Sequence, residues 1–265
     1  MPSSPTAVYD ALEEAIRQER PVSLATVIDG VGIGAKLLCG PGMDSVGSLG
    51  HPDLDRVVTR DALGELQAGR TGVRHYGSEG QAREEAVAIF IESFAPPPQM
   101  LIFGAVDFTA ALGRVAKVLG YRVTVCDARP VFATRQRFPM ADEVVVDWPH
   151  RLLEKVGAEL GPRDAVCVLT HDPKFDVPAV IEALRTNAGY IGAMGSRRTT
   201  ADRNRRLVEE GVTEDQLARI LAPVGLDIGA RTPEETAVSI CAEIIALRTD
   251  RVAPNLRDSD GPIHK

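Results

Sequence analysis

Beyond position 100 the apolar residues fall in short runs bounded by turn residues: MLIF (100–103), RVTVC (122–126), EVVV (143–146), AVCVLT (165–170) and YIGAM (190–194). Stretches with helical spacing, TAALGRVAKVLG and VPAVIEALRTNAG among them, separate most of these runs. Strands apolar on both faces and alternating with helices predict a parallel sheet covered on both sides. Before position 95 the pattern differs. Val8, Leu12, Ala15 and Ile16 mark the apolar face of a helix opened by Ser4-Pro5. VSLATVID (22–29), GAKLLCG (34–40), GVRHYG (72–77) and EAVAIFIESF (85–94) read as strands. Leu54, Val57, Val58, Ala62 and Leu66 recur at helical spacing after Pro52.

The run Ala95-Pro96-Pro97-Pro98-Gln99 can enter neither a helix interior nor a central strand, so it divides the chain. The expected fold is α/β: a small α+β domain over 1–94, a proline linker over 95–99, and a second domain over 100–250. Right-handed crossovers make that second domain a Rossmann-like, doubly wound parallel sheet. Its last helix is expected over 232–248, where Thr232 caps, Pro233 fills the first turn and Glu235 completes a capping box. A polar, flexible tail over 251–265 follows.

Composition narrows the function more than the fold. The 265 residues are 44% hydrophobic and 25% charged, with a net charge of -7 that opposes coating of nucleic acid or an anionic membrane. No apolar run reaches the ~20 residues of a membrane-spanning helix. The opening residues turn acidic and helical before any apolar stretch, which argues against a secretory leader and for the cytoplasm. The cysteines, Cys39, Cys126, Cys167 and Cys241, form no C-x-x-C pair, and the five histidines no metal-binding cluster. They read as reduced structural thiols, and no metal site is expected.

In an open parallel sheet, ligands bind beyond the carboxyl ends of the strands. After the first strand the chain reads Gly104-Ala105-Val106-Asp107-Phe108-Thr109, with Val106 and Thr109 where a dinucleotide fingerprint needs its second and third glycines. Asp127, after the second strand, stands where an acid would meet a ribose hydroxyl. Thr170-His171-Asp172 follows the fourth strand; His171 and Asp172 offer an acid, a base or a ligand, or else a helix cap before Pro173. The fifth strand leads through Gly192, Gly195, Ser196, Arg197 and Arg198 into a helix. Glycine N–H groups, a helix N-terminus and two arginines are the parts of a phosphate site. The other reading is an exposed basic helix start, with Arg203, Arg205 and Arg206 continuing a solvated face. Asp227 and Arg231 in the loop APVGLDIGAR are either a mutual ion pair or pocket wall.

At PPPQMLIFGA, ADEVVVDWP, LTHDPKFDVPAV, YIGAMGSRRT and APVGLDIGARTPEETAVSI the chain closely resembles the xanthine dehydrogenase accessory factors, the XdhC/CoxI family. SLATVI, GAKLL and VGSLG extend the resemblance more loosely into the first domain. It implies a maturation factor that binds molybdenum cofactor, helps it gain a terminal sulfur from a cysteine desulfurase partner, and delivers it to a molybdenum hydroxylase client. It also implies a small first domain, a Rossmann domain and a homodimer, with the ligand held between the two domains. Gly192, Gly195, Ser196 and Arg197 would then bind phosphate while His171 and Asp172 face the reactive end. Three segments depart from the family pattern. Gly30-Val31-Gly32-Ile33 replaces a Ser-x-Pro-Arg segment, the stretch 47–55 lacks the family's cysteine, and Val106-Asp107 replaces Gly-His. The expectation is a non-catalytic cofactor chaperone; the alternatives are an NAD(P)-binding oxidoreductase, with Gly104 and Asp127 at its nucleotide, or a ligand-free scaffold.

Overall fold

The structure, a computed structural model, describes residues 5–81 and 86–258. Ser4, Glu85 and the segment 259–265 of the expected elements lie outside the described residues. The chain divides into two units, Met1–Pro96 and Pro97–Lys265.

In the first unit the elements run α1 (Pro5–Arg17), β1 (Val22–Gly30), β2 (Lys36–Cys39), β3 (Val46–Ser48), α2 (Pro52–Ala68), β4 (Gly72–Tyr76) and β5 (Val87–Phe94). The strands form an antiparallel sheet in the order β3-β2-β1-β5-β4. Strand alternation splits its side chains between two cores. Ala25, Val27, Leu37 and Ile89 pack with Leu54, Val58 and Ala62 of α2, whereas Val22, Leu24 and Leu38 pack with Val8 and Ala15 of α1. Ile16, expected on the buried face of α1, is half exposed at 50%. The three-residue β3 escaped the sequence reading because Val46-Gly47-Ser48 offers no apolar repeat.

The second unit runs β6 (Gln99–Phe103), α3 (Asp107–Val118), β7 (Arg122–Cys126), β8 (Glu143–Val145), α4 (Pro149–Val156), β9 (Ala165–Val168), α5 (Pro173–Leu184), β10 (Tyr190–Ala193), α6 (Arg197–Glu209), α7 (Glu214–Leu217), β11 (Ile220–Leu221) and α8 (Pro233–Arg248). Its six strands are all parallel, in the order β11-β10-β9-β6-β7-β8. Reading β6 as the first strand, this is the doubly wound order with its switch point between β6 and β9. Met100 and Ile102 enter a core shared with α3 and α8. Leu101 and Phe103, on the opposite face, enter one shared with α4, α5 and α6. Thr232, Pro233 and Glu235 open α8 with the expected capping box. Among the described residues no helix is long and apolar enough to cross a membrane.

Candidate functional site

The first turn of the parallel sheet is closed by the protein itself. Gly104 has φ +108°, and a Cβ there would lie 2.9 Å from Thr170 Cγ2 and 3.0 Å from Thr170 N. The glycine thus serves the close approach of two strand ends. The Thr109 hydroxyl donates to the Gly104 carbonyl, and Arg137 Nη1 donates to the Ala105 carbonyl at 3.1 Å. Asp127 is buried. Its Oδ2 accepts from Ala105 N (2.8 Å) and Arg129 Nη2 (2.7 Å), and its Oδ1 accepts from Arg129 N and Nε (both 2.9 Å). Burial opposes its charge, but the Arg129 guanidinium and the two backbone donors prevail and hold the carboxyl below the ordinary value. With about four lone-pair sites on a carboxylate, Asp127 has none to spare for a ribose. Gly104 and Asp127, expected at a cofactor, thus each have a structural role in this turn.

The carboxyl ends of β9 and β10 are different. Between α5 and α6 lies a pocket of about 170 Å³ lined by His171, Pro173, Asp176, Val177, Arg198, Thr199, Asp202, Arg203 and Arg206, all in the second unit. Of the expected site residues it gathers His171 and Arg198. Ser196 caps α6, its Oγ accepting from Thr199 N at 3.1 Å, so this helix presents its positive end beside Arg198. Arg197 is exposed and outside the lining. Asp172 lies outside it too: Oδ1 accepts from Lys174 N at 3.1 Å and caps α5. Gly192 lies buried inside β10, outside the pocket lining, where a Cβ would meet Tyr190 Cε1 at 2.6 Å and Val224 Cγ2 at 2.7 Å. Gly195 makes the turn into α6, with Thr199 as its nearest side chain. Asp227 and Arg231 line no part of the pocket.

Sequence reasoning missed the floor. Arg203 is not part of a solvated face: its side chain is 4% exposed. Its Nη1 donates to the Met194 carbonyl at 2.9 Å and its Nη2 to the Ala193 carbonyl at 3.5 Å, while the buried Nε has no partner among the described residues. Asp176, also 4% exposed, approaches Arg203 to 3.9 Å and accepts from the Thr170 hydroxyl. Burial pushes the Asp176 carboxyl up to about 7; Arg203 opposes that rise and Asp172 adds to it. The available signal was the spacing of Thr200, Arg203 and Leu207, which share the buried face of α6.

All four thiols are buried. Burial pushes Cys39 and Cys241 up to about 11 and Cys126 to about 12, and it raises Cys167 as well. Thiols held so high stay protonated near neutrality and are poor nucleophiles and metal ligands. Cys39 lies buried inside β2. Among the described residues no group of three or more His, Cys, Asp or Glu side chains could hold a metal ion.

Residues 100–244 match the family model of the XdhC Rossmann domain, and residues 15–77 that of the XdhC and CoxI family. The chain is 34% identical over 165 residues to a probable xanthine dehydrogenase subunit of Bacillus subtilis (strain 168), covering 62% of this chain and 47% of that protein. It is 27% identical over 159 residues to the "Molybdenum cofactor insertion chaperone PaoD" of Escherichia coli (strain K12), covering 60% and 43%. The uncharacterized protein YqeB of the same organism matches over 249 residues at 27% identity, 88% of this chain and 44% of that one. The chain thus spans less than half the length of each of these curated relatives. A crystal structure of a xanthine dehydrogenase from Bacillus halodurans shares the fold, with a TM-score of 0.52 and 23% identity over 94% of this chain and 97% of that one.

Proposed function

The chain belongs to the XdhC and CoxI family, and from that membership we propose that it is an accessory factor that binds molybdenum cofactor for insertion into a molybdenum hydroxylase. The observation carrying this reading is the pocket between α5 and α6, whose lining places Arg198, Arg203 and Arg206 of one helix with two carboxylates, Asp176 and Asp202. A helix N-terminus with Arg198 in its first turn, and guanidinium groups further along the same helix, suit the phosphate of the pterin. Volume limits what enters. Sites for whole drug-sized ligands span ~300–1,000 Å³, so a pocket of about 170 Å³ takes the phosphate end and leaves the pterin outside.

The cofactor, once delivered, supplies the client's molybdenum chemistry; this chain contributes binding and release. Ser196 and Thr199 set the helix start, Arg198 and Arg206 face the phosphate, and His171 stands at the rim. The buried thiols leave sulfuration to a cysteine desulfurase partner, whose own cysteine would carry the sulfur. A cytoplasmic location and a homodimeric assembly belong to the same reading.

Titrating the purified chain with molybdenum cofactor tests it. Hydrogen bonds to charged groups contribute ~1.5–3 kcal/mol, and ~1.4 kcal/mol is tenfold in affinity. Arg198→Ala should therefore weaken binding by roughly tenfold or more, and Arg197→Ala by less. Equal affinity in the wild type and Arg198→Ala would remove the phosphate from this pocket.

A further inference from the structure

Resting on the reading of the pocket as an anion site, we propose that an anion enters together with a proton, which Asp176 receives as the anion displaces its carboxylate from Arg203. The pair is built incompletely. Asp176 and Arg203 both line the pocket, both side chains are 4% exposed, and they approach no closer than 3.9 Å, beyond a hydrogen bond. Two carbonyls at the end of β10 hold the guanidinium. Its Nε, itself buried, has no partner among the described residues, although buried donors are nearly always satisfied. On the other side Oδ1 of Asp176 takes the Thr170 hydroxyl, and Oδ2 has only the long approach to Arg203. An incoming anion oxygen that engages Arg203 would stand beside that carboxylate. Two negative charges so close at a buried position cannot both persist, and the carboxylate can be neutralised. Burial already brings Asp176 to about 7, so the proton is at hand near neutrality.

The charges acting on Asp176 are Arg203 of α6 and Asp172 ahead of α5. His171, Arg198, Asp202 and Arg206 complete the ionisable lining. Helix α4, also packed on α5, carries His150, Arg151, Glu154 and Lys155, the last paired with Asp147. His171 is the histidine of the lining, so the test must separate it from Asp176.

Sulfate serves as the probe, because it is a dianion that does not itself titrate near neutrality. Calorimetric titration of the full chain in two buffers of different ionisation enthalpy counts the protons taken up. The expected result is about half a proton per sulfate at pH 7, since Asp176 is then half titrated. Above pH 7 the affinity should fall toward tenfold per pH unit, the limit for one linked proton. Asp176→Asn should bind sulfate at least as tightly, with no proton uptake and a flat pH profile; His171→Gln should keep the uptake. Sulfate bound by the wild type without a proton, uptake that survives Asp176→Asn, or uptake lost in His171→Gln would each overturn the proposal. Should Asp176→Asn fail to fold, infrared difference spectra of the wild type decide instead: sulfate must raise a protonated-carboxyl band, and its absence overturns the proposal. Sulfate that binds at no pH overturns both this proposal and the anion pocket. Proton-linked sulfate binding without affinity for molybdenum cofactor supports this proposal and removes the cofactor reading alone.

Discussion

Gly104 and Gly192 make room for neighbouring protein atoms. Alanine at 104 would place a Cβ 2.9 Å from Thr170 Cγ2 at φ +108°; strain and overpacking of this kind cost about 1–3 kcal/mol each. Gly192→Ala, with contacts of 2.6–2.8 Å, should lose a similar amount. Lower denaturant midpoints with unchanged slopes would establish both, and an unaltered midpoint would refute the packing role. Asp176 governs the pH dependence. Its folded value of about 7 lies above the ordinary ~3.9 of an unfolded aspartate, so between these values the folded state binds the extra proton. The contribution of Asp176 to stability is therefore largest below pH ~4, declines as pH rises through 7, and then levels off. Asp127, held low by Arg129 and two backbone donors, has the opposite sign: its contribution is present above pH ~4 and is lost in acid. Denaturant unfolding of wild type and Asp176→Asn at pH 5 and 8 should show the wild type losing roughly 1–4 kcal/mol more than the variant.

At the level of elements, two helix starts of similar sequence logic do different work. Helix α8 opens with Thr232 accepting from Glu235 N at 3.1 Å, while Glu235 accepts from Thr232 N at 3.0 Å and Arg231 N at 2.7 Å. None of its residues lines the pocket between α5 and α6, so Thr232→Ala should cost about 1 kcal/mol of stability and leave anion affinity unchanged. Helix α6 opens with Ser196 over Thr199 N, and Arg198 beside it lines the pocket. Ser196→Ala should cost a comparable amount of stability and also weaken sulfate binding, because a frayed first turn no longer aims its N–H groups. Thermal melts paired with sulfate titrations would separate the two helices. The α8 capping box was legible in the sequence, since a cap depends on residues three apart; Ser196 is expected there as a phosphate ligand, and the structure adds its capping role.

For the whole molecule, each unit has its own cores: Pro97–Lys265 contains both faces of the parallel sheet, and the antiparallel sheet is packed within the first unit. Residues 97–265 produced alone should therefore unfold in one cooperative transition and bind sulfate with the affinity of the full chain. A fragment without a transition, or one that has lost sulfate, would show that the first unit is needed to build the pocket.

Local and periodic features were decided by the chain alone. The β6-to-β10 runs, the α8 capping box and the basic character of the α6 start follow from neighbours within a helical turn or a strand repeat, whatever the surroundings. The pocket floor was not decided that way. Arginine is exposed in most folds, and nothing near Arg203 in sequence announces that Asp176, on another helix, will meet it. Only the winding of α5 and α6 onto one face of the sheet brings the two together. The same holds for Asp127 and Gly104, whose roles are set by which backbone atoms the adjoining strand ends and turns carry to them.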